Sequence, residues 1–131
     1  MLGVLTLIRA AQQRRVVFSR DDRFVCTSGD SGTARVYQVD TGEEVATALQ
    51  RVYNAVFSPD GNHIVTLNAE RLVKVWDLVH KREELTLRGH LSLAETAAFS
   101  PDGRHLVTAG FDDTVRLWDA TTGHSLGEFP G

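Results

Sequence analysis

The sequence predicts an all-β protein made of three similar units, each with four short antiparallel strands. Phe18, Phe57 and Phe99 open related tracts at intervals of 39 and 42 residues, and an aromatic residue follows each of them nineteen positions later. These aromatic residues are Tyr37, Trp76 and Trp118. Between the anchors, apolar and polar residues alternate with the period of a strand. Turn residues bound the runs and there is almost no helix signal, which indicates an all-β array.

Each phenylalanine is followed by a tract that predicts a tight turn. Residues 58–61 and 100–103 both have the sequence Ser-Pro-Asp-Gly, whereas residues 19–22 have Ser-Arg-Asp-Asp. Proline fixes φ and glycine accepts a positive φ, which suits a short connection between antiparallel strands. The turn therefore separates the first strand of each unit from the second.

The remaining strands follow in the same register in all three copies. The second strand is an apolar run that ends in threonine, at 25–27, 64–66 and 106–108. In the third strand, an apolar, a basic and an apolar residue precede the aromatic residue, which predicts one inward face. A turn such as Thr121-Thr122-Gly123 then leads into a fourth strand. Fourth strands are expected at 44–49, 84–87 and 125–129.

Composition is that of an ordinary globular protein. The 131 residues include 42% apolar and 24% charged residues, which is enough for one domain with a real core. The net charge of −3 gives no long-range attraction for nucleic acid. Five arginines fall within the first 23 residues, but such a cluster is more typical of a solvated face than of a phosphate site. We therefore expect no nucleic-acid partner.

The single cysteine and the N-terminal apolar stretch argue against a disulfide-bonded protein, a cysteine-based zinc site and a membrane-spanning protein. Cys26 excludes an internal disulfide and a cysteine-based zinc site, and its strand context predicts a small buried apolar side chain. The longest apolar stretch, residues 2–8, is far too short to span a membrane and lacks the basic start of a signal peptide. We expect a cytoplasmic protein with no membrane partner.

At this point the residues resemble the WD-repeat (WD40) family. Gly89-His90 precedes Phe99, and Trp118-Asp119 ends the third strand of the last copy. That signature occurs in repeats of roughly 40–45 residues that fold as propeller blades. The resemblance implies a partial β-propeller of three blades at 10–50, 51–88 and 89–131. Residues 3–9 resemble the fourth strand of the second blade, so we expect there an extra outer strand of a preceding blade.

The resemblance also implies a buried, hydrogen-bonded tetrad in the third blade. Its members are His90, Thr108, Asp112 and Trp118. A buried indole N–H and an imidazole need partners, and a hydroxyl and a carboxylate can satisfy both. The same residue types could suggest a catalytic triad, but their chain order and the resemblance favour a structural network. We expect no catalytic residues.

The first two blades depart from this pattern. In the second blade, Glu70 replaces the aspartate and Ala48 the histidine. In the first, Tyr37 replaces the tryptophan, Ser31 the aspartate and Arg9 the histidine. These blades are therefore expected to depend more on apolar packing than on the polar network.

The histidines and the glycine-rich loop predict neither a metal nor a cofactor. His63 and His105 hold equivalent positions one blade apart, and His80 and His124 lie in predicted turns. None of them has the spacing of a zinc site. Residues 29–32 lack the Gly-Lys-Ser/Thr ending of a phosphate loop.

A non-catalytic scaffold that binds other proteins or peptides is the leading functional hypothesis, and an enzyme domain is the alternative from another class. By resemblance, partners dock on the loops that lead into the first strand and join the second to the third. The candidate positions are Gln12, Arg14, Asp30, Arg51, Tyr53, Ala69, Leu93, Glu95 and Phe111. Arginine and tyrosine often dominate the binding energy of interfaces.

Three blades do not close a ring of the usual four to eight. The expected explanation is a piece of a longer propeller with further blades in the same chain, because the ends of the sequence coincide with positions inside the repeat. Assembly of two copies into six blades, and an open stack of three, remain as alternatives.

Overall fold

The computed structural model describes residues 13–29, 34–49, 52–68, 72–88, 94–110 and 113–130. These residues form twelve β-strands in three four-stranded antiparallel sheets, as the repeat predicts. The strands are β1 (Gln13–Phe18), β2 (Phe24–Gly29), β3 (Ala34–Gln38), β4 (Glu44–Leu49), β5 (Val52–Phe57), β6 (His63–Asn68), β7 (Val73–Asp77), β8 (Arg82–Leu87), β9 (Ala94–Phe99), β10 (His105–Gly110), β11 (Thr114–Asp119) and β12 (Ser125–Pro130). The expected extra strand at 3–9 lies outside the described residues.

Each sheet contains four consecutive strands, joined as hairpins. Sheet 1 has the order β1-β2-β3-β4, sheet 2 the order β5-β6-β7-β8, and sheet 3 the order β9-β10-β11-β12. The registers between the first three strands are equivalent in all three sheets. The aromatic residue of each third strand pairs with an apolar residue of the second strand, as Ile64 does with Trp76 and Leu106 with Trp118. The constant interval between the phenylalanine and the aromatic residue in the sequence therefore reflects a constant pairing of the strands in each sheet.

The two faces of each sheet differ in chemistry. We call the face that bears Tyr37, Trp76 or Trp118 the aromatic face, and the opposite face the aliphatic face. On sheet 2 the aliphatic face carries Val65 and Val75, because neighbouring residues of a strand point to opposite sides.

The sheets stack in one direction only. The aliphatic face of sheet 1, with Cys26 and Val36, packs in one core cluster with Ile64 and Trp76 of the aromatic face of sheet 2. The aliphatic face of sheet 2 packs in turn against the aromatic face of sheet 3, around the buried Trp118. Sheet 2 is therefore covered on both faces, and burial of these apolar side chains is the main stabilising term.

The turns between first and second strands use a serine and an aspartate. In the third turn, the Ser100 hydroxyl donates to Asp102 Oδ1 over 2.6 Å and accepts from the backbone N–H of His105 over 3.0 Å. Gly61 and Gly103 adopt φ values of 74° and 73°. Asp22 holds the equivalent place in the first turn with a φ of 62°, a conformation that costs a residue with a Cβ more than it costs glycine.

Cys26 is buried in the first sheet, as its strand context predicts. Burial raises the pKa of its thiol to about 12, because a thiolate is poorly solvated in an apolar core. Within the described ranges, there is no helix of the length and apolar character needed to cross a membrane.

Candidate functional site

The tryptophans of the second and third sheets are tied to the threonines of the neighbouring strands. Trp118 Nε1 donates a hydrogen bond to Thr108 Oγ1 over 2.9 Å, and both residues are buried. Trp76 Nε1 donates to Thr66 Oγ1 over 3.1 Å in the same way. Each bond gives the indole N–H an acceptor on the neighbouring strand.

The first sheet lacks this bond. Tyr37 stands in place of the tryptophan, and its ring carries no N–H at that position. Thr27 Oγ1 is fully buried and has no hydrogen-bond partner among the residues that the structure describes. The departure of the first repeat therefore leaves a buried hydroxyl unsatisfied, which is unfavourable.

The full tetrad stays a prediction. Thr108 and Trp118 are described and hydrogen-bonded, whereas His90 and Asp112 lie outside the described residues. Six of the nine candidate partner-binding residues also lie outside them. These six are Gln12, Asp30, Arg51, Ala69, Leu93 and Phe111.

The three candidate residues that are described occupy one equivalent position. Arg14, Tyr53 and Glu95 are each the second residue of the first strand of their sheet. At each of them the pairing with the second strand slips by one residue, so each is the extra residue of a β-bulge. Bulges are over-represented next to binding and active sites, where they redirect a strand. The sequence placed these residues by resemblance, and their shared bulge is an independent structural feature.

Two polar bridges join sheets 1 and 2 at the opposite end of the strands. Arg23 Nη2 donates to the Asp60 carbonyl over 3.0 Å and to Asn62 Oδ1 over 2.7 Å. Lys81 Nζ lies 2.9 Å from Glu43 Oε1, with both side chains about half exposed. Such exposed pairs contribute little stability, so they orient the turns more than they hold the sheets.

A cavity of about 470 Å³ opens between sheets 2 and 3 at this same end. Its walls include His63, Glu84, Phe99 and Ala120. His63 Nε2 lies 2.8 Å from Glu84 Oε2, and Asp77 completes a group whose ligand atoms all lie within 4.8 Å of one another.

Sequence reasoning missed this group because it compared the histidines only with one another. The available signal was strand register, since His63 pairs directly with Asp77 across β6 and β7.

The Asp77 carboxylate is held by its own turn. Its Oδ1 accepts the backbone N–H groups of Val79 and His80, each over 3.0 Å, and its Oδ2 lies 2.7 Å from His80 Nδ1. Burial by itself raises the pKa of Asp77, but the hydrogen bonds from His80 and Val79 and the charge of His80 lower it below its ordinary value. Asp77 is therefore an anion at neutral pH, with only 8% of its surface exposed.

Three register-matched, four-stranded sheets that stack in one direction define a β-propeller repeat protein. The chain belongs to the WD40 family, since the family model "WD domain, G-beta repeat" matches residues 9–38, 44–77 and 81–119. WD40 repeats generally serve as non-catalytic scaffolds and typically bind proteins.

Solved structures confirm the fold. The chain is similar to the structure of U3-55K, with a TM-score of 0.77 and 18% identity. It is also similar to the crystal structure of the RRP9 WD40 repeats, with a TM-score of 0.77 and 17% identity. In both cases the match covers 88% of this chain and 38% of the other.

A curated relative is similar in sequence over part of the chain. Autophagy-related protein 18 of Meyerozyma guilliermondii is 33% identical over 94 residues, which cover 61% of this chain and 16% of the relative. The chain thus spans less than half the length of the relatives that it matches. These similarities identify the repeat and the fold.

Proposed function

We propose that this chain is a non-catalytic scaffold whose partner-binding surface lies where the first strands of the three sheets begin. The observation that carries the proposal is the β-bulge at the same position of β1, β5 and β9. A single bulge can serve local packing. Three equivalent bulges mark one edge of the stack, where the first strand of each sheet carries an extra backbone residue.

The residues at these bulges favour a protein or peptide partner. The bulge positions carry an arginine, a tyrosine and a glutamate, namely Arg14, Tyr53 and Glu95. Arginine and tyrosine combine apolar area with directional hydrogen bonds, which is why they are frequent among the residues that dominate interface energy. The opposite charges of Arg14 and Glu95 favour a partner with a matching pair of charges.

Selection from a displayed library of random peptides tests this surface without a known partner. Peptides enriched on the full chain are expected to bind Tyr53→Ala and Arg14→Ala at least tenfold more weakly, about 1.4 kcal/mol each. Arg104→Ala is the matched control, because Arg104 lies in a turn at the other end of the strands. Peptides that depend on Arg104 but not on Tyr53 or Arg14 would contradict the proposal.

We also propose that a further WD40 blade of a longer protein covers the aliphatic face of sheet 3. Val107, Val115 and Leu117 hold the positions at which the aliphatic faces of sheets 1 and 2 are buried, yet they remain partly exposed. Phe129 on the same face is 51% exposed. The solved propellers that resemble this chain are more than twice as long as the part it matches, which supports blades in the same chain as the occupant.

A second copy of the chain is less favoured as that occupant. To continue the stack it would have to offer the aromatic face of sheet 1. That face is already buried, since Val25 is fully buried and Tyr37 is only 4% exposed, so it is not open to a second copy. Sedimentation of the chain is therefore expected to give a monomer mass, with Leu117→Lys improving solubility and leaving the mass unchanged. A dimer that Leu117→Lys dissociates would instead support assembly across copies.

A cytoplasmic location is part of the proposal. The one cysteine of the chain, Cys26, is a buried free thiol of raised pKa, as a reducing compartment would leave it. Fractionation of cells that express the tagged chain tests this location. Recovery with secreted or membrane material would contradict it.

A further inference from the structure

Two positions that form the apolar core in sheet 1, together with the register partner of one of them, carry metal-ligand side chains in sheet 2. Phe24 begins β2, and its register partner is Gln38, while Val45 is the second residue of β4. Phe24 and Val45 are each 6% exposed and belong to the core between sheets 1 and 2. The equivalent residues of sheet 2 are His63, Asp77 and Glu84. Core packing alone does not explain this change.

Geometry brings the three side chains of sheet 2 together. His63 Nε2 lies 2.8 Å from Glu84 Oε2, and one oxygen of Asp77 joins them so that the three atoms lie within 4.8 Å of one another. Ligands about 2.1 Å from a tetrahedral metal ion are roughly 3.4 Å apart. The separations of these atoms therefore differ by at most about 1.4 Å from those around a tetrahedral ion.

The surroundings meet the other needs of a metal site. His63 and Glu84 line the cavity of about 470 Å³ between sheets 2 and 3, which provides an entry path and room for a water ligand. His80 Nδ1, at 2.7 Å from Asp77 Oδ2, orients the carboxylate of Asp77. Polar partners of this kind commonly fix metal-binding side chains in position.

We propose that His63, Asp77 and Glu84 bind a divalent transition-metal ion of the zinc type. One imidazole nitrogen and two carboxylate oxygens suit Zn²⁺, with water as the fourth ligand. The ion ties β6, β7 and β8 together beside the interface with sheet 3. The site is separate from the partner-binding surface, which lies at the other end of the strands.

The third sheet provides an internal comparison. His105 pairs with Asp119 as His63 pairs with Asp77, but the position of Glu84 is held by Leu126. Leu126 is 50% exposed and offers no ligand atom. A metal ion is therefore expected on sheet 2, with no matching ion on sheet 3.

Zinc binding to the full chain tests the proposal by calorimetry and by thermal unfolding with and without ZnCl₂. We expect one Zn²⁺ per chain and a melting temperature that rises with ZnCl₂, because a ligand that binds only the folded state stabilises it. His63→Phe combined with Glu84→Val restores the residues of sheet 1. This double variant is expected to bind Zn²⁺ at least tenfold more weakly and to melt at a temperature that ZnCl₂ no longer raises.

His105→Ala is the matched control and is expected to bind Zn²⁺ as the unaltered chain does. His63→Gln keeps the cavity polar, and it is measured as well in case the double variant does not fold. Undiminished Zn²⁺ binding in both His63 variants would overturn the proposal, because the ion would then sit elsewhere. Failure of the unaltered, folded chain to bind Zn²⁺ at 100-fold molar excess would overturn it as well.

Discussion

Replacement of Thr27, Thr66 and Thr108 by valine distinguishes the two sheets in which the threonine hydroxyl accepts a hydrogen bond from tryptophan from the one in which it has no partner among the described residues. Valine keeps the branched shape and removes only the hydroxyl. In sheet 3, Thr108→Val leaves the indole N–H of Trp118 without its acceptor, and Trp118 is only 2% exposed. An unsatisfied buried donor costs about 1–3 kcal/mol. Thr66→Val is expected to cost less, near 1 kcal/mol, because Trp76 is only partly buried and water can reach it.

Sheet 1 should respond in the opposite direction. Thr27 Oγ1 is buried without a partner among the described residues, so Thr27→Val removes an uncompensated polar group and adds a methyl group to the core. The expected change runs from zero to about 1 kcal/mol of added stability. The order of stability is therefore Thr27→Val first, then Thr66→Val, then Thr108→Val.

Urea unfolding followed by far-UV circular dichroism measures this order under one set of conditions. Unchanged m-values show that the midpoints report stability. Thr108→Ser is the control, because serine keeps the hydroxyl and isolates the loss of the methyl group. If Thr27→Val is destabilised as much as Thr108→Val, the hydrogen-bond reasoning is refuted.

Three further predictions rest on local geometry and charge. Asp22 and Lys81 have positive φ, so Asp22→Gly and Lys81→Gly are each expected to raise the free energy of unfolding by roughly 0.5–1 kcal/mol and to raise the melting temperature. Gly103→Ala should lower the free energy of unfolding by a similar amount, because Gly103 also has a positive φ. The thiol of Cys26, whose pKa is raised to about 12, should not react with an aromatic disulfide reagent at pH 8 until urea unfolds the chain; fast reaction without urea would contradict its burial. Partial burial raises the pKa of Asp60, but hydrogen bonds from Ser58 and Asn62 and the charges of His63 and Arg23 outweigh it and hold this pKa below 3.8. The ionised carboxylate therefore stabilises the fold above pH 3.8, and this stabilisation is lost as the pH falls through the lower pKa of the folded state. Asp60→Asn should therefore reduce the loss of unfolding free energy as the pH falls below 3.8. An unchanged loss in this variant would show that the Asp60 carboxylate does not cause it.

Most of the fold could be predicted because its strands repeat in register. The expected fourth strands at 44–49 and 125–129 lie within one residue of β4 and β12. The fourth strand of the second unit was expected at 84–87, but β8 starts at Arg82. The turn before it ends in Lys81, which takes a φ of 57° without the glycine that marks the other two turns. The usual signal for the start of that strand was therefore missing.

The candidate sites were harder to predict, because they depend on irregularities of pairing. An extra residue at a bulge does not change the residue types around it, so the bulges at Arg14, Tyr53 and Glu95 leave no mark in a single sequence. Glu84 lies beside another register shift, between Val75 and Trp76. Only the folded sheet shows that this shift places Glu84 next to His63. The departure at Tyr37 was visible in the sequence, but its effect on Thr27 was not.

The one-way stacking of the sheets has a consequence for how such a protein can grow in evolution. Because the aliphatic face of each sheet meets the aromatic face of the next, every added unit brings the surface that it needs and the surface that its successor needs. Duplication of one repeat can therefore lengthen the array without inventing a new contact. A mutation on one face of a sheet also affects the packing against one adjacent sheet only. Individual repeats can then lose parts of their polar network, as the first one has, while the array persists.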